Sequence, residues 1–117
     1  MSTEELISVI RSKSHEPNVS SYKKAIAYVL YKKGVSSSQL EKIFGTNRKG
    51  VLFRVYSMID LLNSGDRFCV ESMAEFDRHQ IEVDNEWVKT YSRKKCVVHS
   101  VKIDGVVFYE STTTNNK

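Results

Sequence analysis

The 117-residue sequence holds one proline, five glycines and two cysteines, and each scarcity removes a class of protein. A single Pro17 excludes polyproline and collagen-like segments. The glycines are too scattered for a glycine-rich nucleotide loop, and Gly45-Thr46-Asn47-Arg48-Lys49-Gly50 lacks the Walker spacing. Cys69 and Cys96 cannot make a disulfide framework, so a reduced, cytoplasmic setting is expected and Asn18-Val19-Ser20 reads as a chance glycosylation sequon. No run of about 18 apolar residues is present, which excludes a transmembrane helix. Met1-Ser2-Thr3-Glu4-Glu5 is acidic and polar where a secretory signal is basic and then apolar, so no signal peptide and no membrane partner are expected.

What is present is ordinary globular chemistry, 40% apolar and 27% charged, with enough chain to bury one core. One domain is expected over residues 1–110, helical over 1–65 and β-rich over 67–110, followed by a disordered tail over 111–117. The net charge of +4 conceals a pattern. Between Ser20 and Tyr56 eight bases (Lys23, Lys24, Lys32, Lys33, Lys42, Arg48, Lys49, Arg54) face one acid, Glu41, for +7. From Glu71 to Glu86 the balance is −5. From Trp87 to Lys102 it is +5, carried by Lys89, Arg93, Lys94, Lys95 and Lys102 with no acid. Two basic blocks around an acidic one suit a phosphate-bearing partner on one side and leave an acidic surface elsewhere.

The helical part is punctuated clearly. Ser2 and Glu5 have capping-box spacing ahead of Leu6, Ile7, Val9 and Ile10, which predicts a helix to about Lys13. Residues 14–18, with Pro17, interrupt it. Ser20 or Ser21 starts a second helix with Ala25, Ile26, Val29 and Leu30 inward, closed by Gly34. Ser36 with Gln39 caps a short helix ending at Gly45, and Thr46 or Asn47 caps a long one ending near Asn63. On that last helix Val51, Leu52, Val55, Met58, Ile59 and Leu62 share one face, while Lys49, Gly50, Phe53, Ser57 and Asp60 lie opposite.

After Arg67 the period changes. Phe68-Cys69-Val70 reads as a strand. Residues 81–89 read either as a hairpin turning at Asp84-Asn85 or as a helix capped by Asp84, with strand preferred. Asp104-Gly105 between β-branched runs is the strongest hairpin signal, pairing Ile103 with Val106 and Val101 with Phe108 on one face. Lys102, Val107, Ser100 and Tyr109 then share the other face. The expected class is α+β, an N-terminal helical bundle followed by a small antiparallel sheet.

The run from Ser20 to Gly65, together with the Asp104-Gly105 hairpin, resembles the winged-helix, helix-turn-helix DNA-binding proteins. The matching features are a basic helix ending at Gly34, a short helix, Gly45 in the turn, a long helix opening Thr46-Asn47-Arg48-Lys49, and a hairpin downstream. The resemblance implies that the third of these helices enters the major groove by its N-terminal residues and that the hairpin is a wing. Thr46, Asn47, Arg48, Lys49, Phe53 and Arg54 would then be reading positions, and Lys102 to Gly105 the wing tip. One departure is plain: the acidic segment stands between the long helix and that hairpin.

The residues argue in the same direction unaided. A helix N-terminus with Thr, Asn, Arg and Lys offers free backbone N–H groups and positive charge to phosphate. Arg and Asn match guanine and adenine edges, and Ser36 and Ser37 open a neighbouring helix where hydroxyls reach phosphate. Lys23, Lys24, Arg93, Lys94, Lys95 and Lys102 add basic contacts. Double-stranded DNA is thus the expected partner, in a small transcriptional regulator. The alternative is an adaptor or inhibitor that binds a protein through Phe53, Tyr56 and Leu61 or through the acidic 71–86 segment. A homodimer is compatible with both. Cys69, His79, Cys96 and His99 are the only zinc candidates, and Cys96 and His99, three apart on a strand, point to opposite faces. Asp77, Glu82, Asp84 and Glu86 read as a solvated face. No metal, cofactor or catalytic residue is assigned, and no enzymatic activity is expected.

Overall fold

Capping residues set the helix boundaries. In the computed structural model, which describes residues 1–111, five helices precede a three-stranded antiparallel sheet, an α+β fold. The tail expected over 111–117 lies, beyond Ser111, outside the described residues. Helix α1 (Thr3–Arg11) carries a reciprocal capping box: the Glu5 N–H donates to Ser2 Oγ at 3.1 Å, and the Ser2 N–H donates to Glu5 Oε1 at 2.8 Å. It stops at Arg11, short of Lys13. Helix α2 (Pro17–Lys32) starts at its proline and not at Ser20 or Ser21. Proline breaks a helix only from inside; at the first helical position its fixed φ suits the turn and its missing N–H costs nothing.

Helix α3 (Ser37–Phe44) and helix α4 (Arg48–Asn63) have the expected caps, Ser36 and Asn47. Between them Gly45 takes the left-handed conformation, φ 64°. In α4, Val51, Val55 and Met58 are fully buried, while Leu52, Ile59 and Leu62 flank them half-buried. Helix α2 is the hub of the bundle, packing on α1, α3, α4 and the following helix.

That following helix, α5 (Arg67–Phe76), replaces the strand expected at Phe68-Cys69-Val70 and extends the helical part beyond residue 65. Three residues are too few to show a period. The helix is set by Asp66, whose carboxylate caps the Cys69 N–H at 3.1 Å, and by Cys69, Ser72 and Phe76 buried on one side.

Residues 81–89 are strand, as preferred, but they do not turn at Asp84-Asn85. Strand β1 (Ile81–Thr90) runs straight through Asp84-Asn85 and turns at Tyr91-Ser92 into β2 (Arg93–Ile103). The irregularity at Asp84/Asn85 is a bulge, absorbed by His99 as the additional residue of β2. Asp104 and Gly105, at φ 52° and 82°, then form the tight turn into β3 (Val106–Glu110). Ile103 pairs with Val106 and Lys102 with Val107 as expected. A bulge beyond Lys102 changes the rest: Val101 pairs with Tyr109 and Ser100 with Glu110. Phe108, released from the ladder, turns inward against Phe44, with ring centroids 6.3 Å apart.

The sheet is fastened to the helices at three polar points, one of them the Arg11 guanidinium donating to the Phe108 carbonyl at 2.6 Å. Gln39, whose side chain was expected to complete a capping box, instead accepts the buried Val98 N–H at 3.1 Å. At the other end, Asp104 accepts from Thr3 Oγ1 at 2.6 Å, from the Gln80 N–H at 2.8 Å and from His79 Nδ1. The His79 Nε2 meets Glu75 Oε2 at 3.1 Å, so the ring bridges two carboxylates with 6% of its side chain exposed.

That bridge predicts a pH optimum for stability. The Asp104 carboxylate, then Glu75, raise the His79 pKa above its ordinary 6.5 despite burial. His79, Thr3 and the Gln80 N–H bring Asp104 from 3.8 down to about 2. The histidine contribution is complete below 6.5 and lost as pH rises through the elevated folded value. The aspartate contribution is complete above 3.8 and lost as pH falls toward about 2. Urea midpoints should therefore be highest between 3.8 and 6.5, and His79→Gln should flatten the decline on the alkaline side of that window.

Candidate nucleic-acid interface

The α3–Gly45–α4 corner brings the first turns of α4 to the surface. Asn47 Oδ1 accepts the Gly50 N–H at 2.8 Å, so its carbonyl oxygen is engaged as the cap while the residue stays exposed. A Cβ at Gly50 would stand 2.7 Å from Thr46 Oγ1, so only glycine lets that hydroxyl lie against the first turn of α4. Arg48 and Lys49 are exposed, and neither belongs to an ion pair among the described residues.

Behind that turn the basic side chains of α2 and α4 converge. Lys23, Lys24, Thr46, Phe53 and Arg54 share a cavity of about 240 Å³ with His15 and Ser20. Phe53 is 64% exposed, with the Lys24 ammonium 5.9 Å from its ring centroid. The outward position expected for Phe53 is observed. Arg54 is half-buried and stacks at 5.4 Å on Phe44, and burial pushes its guanidinium below its ordinary pKa.

Other expected contacts are placed differently. Ser36 Oγ accepts the Gln39 N–H at 3.4 Å and lies 3.1 Å from Ser38 Oγ, so it serves as a cap, and Ser37 is half-buried. The Lys102–Gly105 turn, expected as a wing tip, is tied to the helical part. Asp104 is held against α1 and the end of α5, and Lys102 stands opposite Glu82 in the ladder. The free projection is the far end of the β1–β2 hairpin, where residues 89–95 are all exposed. It carries Lys89, Arg93, Lys94 and Lys95 beside Trp87 and Tyr91, which are 59% and 96% exposed. Lys89 and Lys94 are direct ladder partners, a like-charge pair that weakens a bare hairpin and that a polyanion would relieve.

No family model, curated protein or solved structure matches this chain. Its chemistry has to be read from the geometry itself.

Sequence reasoning found the basic blocks but not Arg11, His15, Trp87 or Tyr91. The signal for the last two was the +5 block, whose turn residues Tyr91-Ser92 carry no standard turn motif. The zinc candidates do not converge: Cys69 and Cys96 are buried separately, His79 binds Glu75 and Asp104, and His99 binds Glu86 at 3.1 Å. Among the described residues no group of three or more such side chains is arranged to hold a metal ion. Burial raises both thiol pKa values, that of Cys69 to about 11 with Asp66 contributing, which keeps them protonated at neutral pH.

The cap is the element most exposed to test. Asn47→Ala should lower stability by about 0.5–2 kcal/mol in thermal or urea denaturation, whereas Asn47→Ser should retain most of it.

Proposed function

We propose that this protein is a binding protein, not an enzyme, and that it grips double-stranded DNA as a small cytoplasmic regulator of transcription. The arrangement is winged-helix-like: the N-terminal turn of α4 lies in the major groove, and the β1–β2 hairpin acts as the wing. One observation carries the reading. Lys23, Lys24 and Arg54 share one cavity beside the first turns of α4, exposed Arg48 and Lys49 open that helix, and none of the five has a carboxylate partner among the described residues. Such unpaired cations, together with the like-charged end of the hairpin, are what phosphate neutralisation requires.

In this assignment Arg48 and Thr46 reach base edges, as does the amide of Asn47, and Lys49 meets the backbone. Lys23, Lys24 and Arg54 hold a flanking phosphate. Arg93, Lys94 and Lys95 follow the adjacent groove. The exposed acids Glu71, Asp77, Glu82, Asp84 and Glu86 take no part in this contact.

The test is duplex binding at low salt with a random-sequence pool, followed by selection of a preferred site. Arg48→Ala should weaken the selected site by about 1–3 kcal/mol and relax its base preference. Lys94→Ala should weaken all duplexes alike and reduce the salt slope by about one. Absence of duplex binding at low salt would overturn the reading.

A second reading rests on the aromatic surface beside α4. Phe53, Tyr56 and Tyr31 are all exposed, and the neighbouring Tyr56 hydroxyl raises the Tyr31 pKa above its ordinary value. An adaptor using that patch predicts that Phe53→Asp abolishes a nuclease-resistant pull-down while Arg48→Ala leaves it intact.

A further inference from the structure

A second cavity adjoins the first, sharing Lys23 and Arg54 as a common wall, and opens toward α1 and β3. Its volume is about 430 Å³, and Arg11, Ser12, Lys23 and Arg54 line it over Phe44 and Phe108. No aspartate or glutamate is among its lining residues. The two arginines are held in fixed planes. Arg11 lies 5.2 Å over Phe108 and Arg54 lies 5.4 Å over Phe44, and these two rings pack on each other. Arg11 engages one N–H with the Phe108 carbonyl at 2.6 Å, and Lys23 donates to the Ser14 carbonyl at 3.3 Å. The remaining donors of both arginines face no carboxylate among the described residues.

We infer that this cavity binds a terminal phosphoryl group, either free orthophosphate or the phosphate of a mononucleotide. A phosphomonoester carries a charge of about −1.5 to −2 and three terminal oxygens. Two guanidiniums and an ammonium match it in charge and in donor number. An internal phosphodiester has one charge and two free oxygens and leaves part of this set unused. The aromatic floor lowers the local dielectric and strengthens each contact, and stacking fixes the guanidiniums beforehand. The site does not rest on DNA binding: Arg11 and Ser12 lie outside the proposed duplex surface, and the assay contains no nucleic acid.

The experiment is calorimetric titration of the full chain with inorganic phosphate at neutral pH, sodium chloride being matched for ionic strength. A second arm uses adenosine 5′-monophosphate, with adenosine as its control. Expected is saturable binding of one phosphate, with amide shift changes centred on Ser12, Phe44 and Arg54. Arg11→Gln should weaken it about tenfold or more, the effect of one charged hydrogen bond, and Arg11→Lys should weaken it less. Arg11 also holds β3, so Ser12→Asp provides an independent check. Its carboxylate preserves the acceptor that Ser12 offers to the Ser14 N–H, and it should abolish phosphate binding. Tighter binding of the monophosphate than of phosphate identifies a nucleotide as the source; the reverse order identifies free phosphate. No saturable binding above chloride, or binding that Ser12→Asp leaves intact, would overturn the inference.

Discussion

The architecture depends on one carboxylate. Asp104 sits at the turn between β2 and β3 and accepts from α1, from the end of α5 and from the segment leading into β1. The start of α1 and the segment between α5 and β1, far apart in sequence, are thereby gathered at one corner with the β2–β3 turn, and the sheet gains a defined angle to the helices. Gln39 adds a second anchor midway along β2, where leaving the Val98 N–H unpaired would carry a desolvation cost. Beyond that anchor the polar ties to the helical bundle end. The β1–β2 hairpin is therefore a cantilever, held at its base and exposed at its tip.

Much of this was legible in residues that act locally. Ser2, Ser36 and Asn47 as caps, with Gly34 and Gly45 as stops, are read by their own backbone demands, and the four N-terminal helices follow from them. The start of α2 was missed because a proline inside a polar stretch reads equally as an interruption or as a first helical residue. Helix α5 was missed because its apolar residues are interleaved with Glu71 and Glu75, and Glu75 is itself buried through ion pairs. The register of β3 depended on a bulge that only the packing of Phe108 on Phe44 requires. A local pattern cannot encode that contact.

The candidate interface divides in the same way. The cations of α4 announce themselves by sitting at a helix start, and their position held. The hairpin expected as the wing, at Asp104-Gly105, has the better turn chemistry and is the more deeply anchored of the two. A tight turn and a free tip are separate properties. The pocket joining Arg11 to Arg54 could not be read at all, because its two arginines come from different helices and meet only through an aromatic pair contributed by α3 and β3.

The acidic stretch has its own physical meaning in the sheet. β1 is an edge strand ten residues long, with backbone groups on one side left for water. Glu82, Asp84 and Glu86 alternate along it and are all exposed. A second copy approaching that edge in register would bring carboxylate against carboxylate before any ladder could form. These carboxylates thus oppose edge-to-edge pairing, the hazard that a long, cationic, aromatic-bearing hairpin standing exposed would otherwise carry.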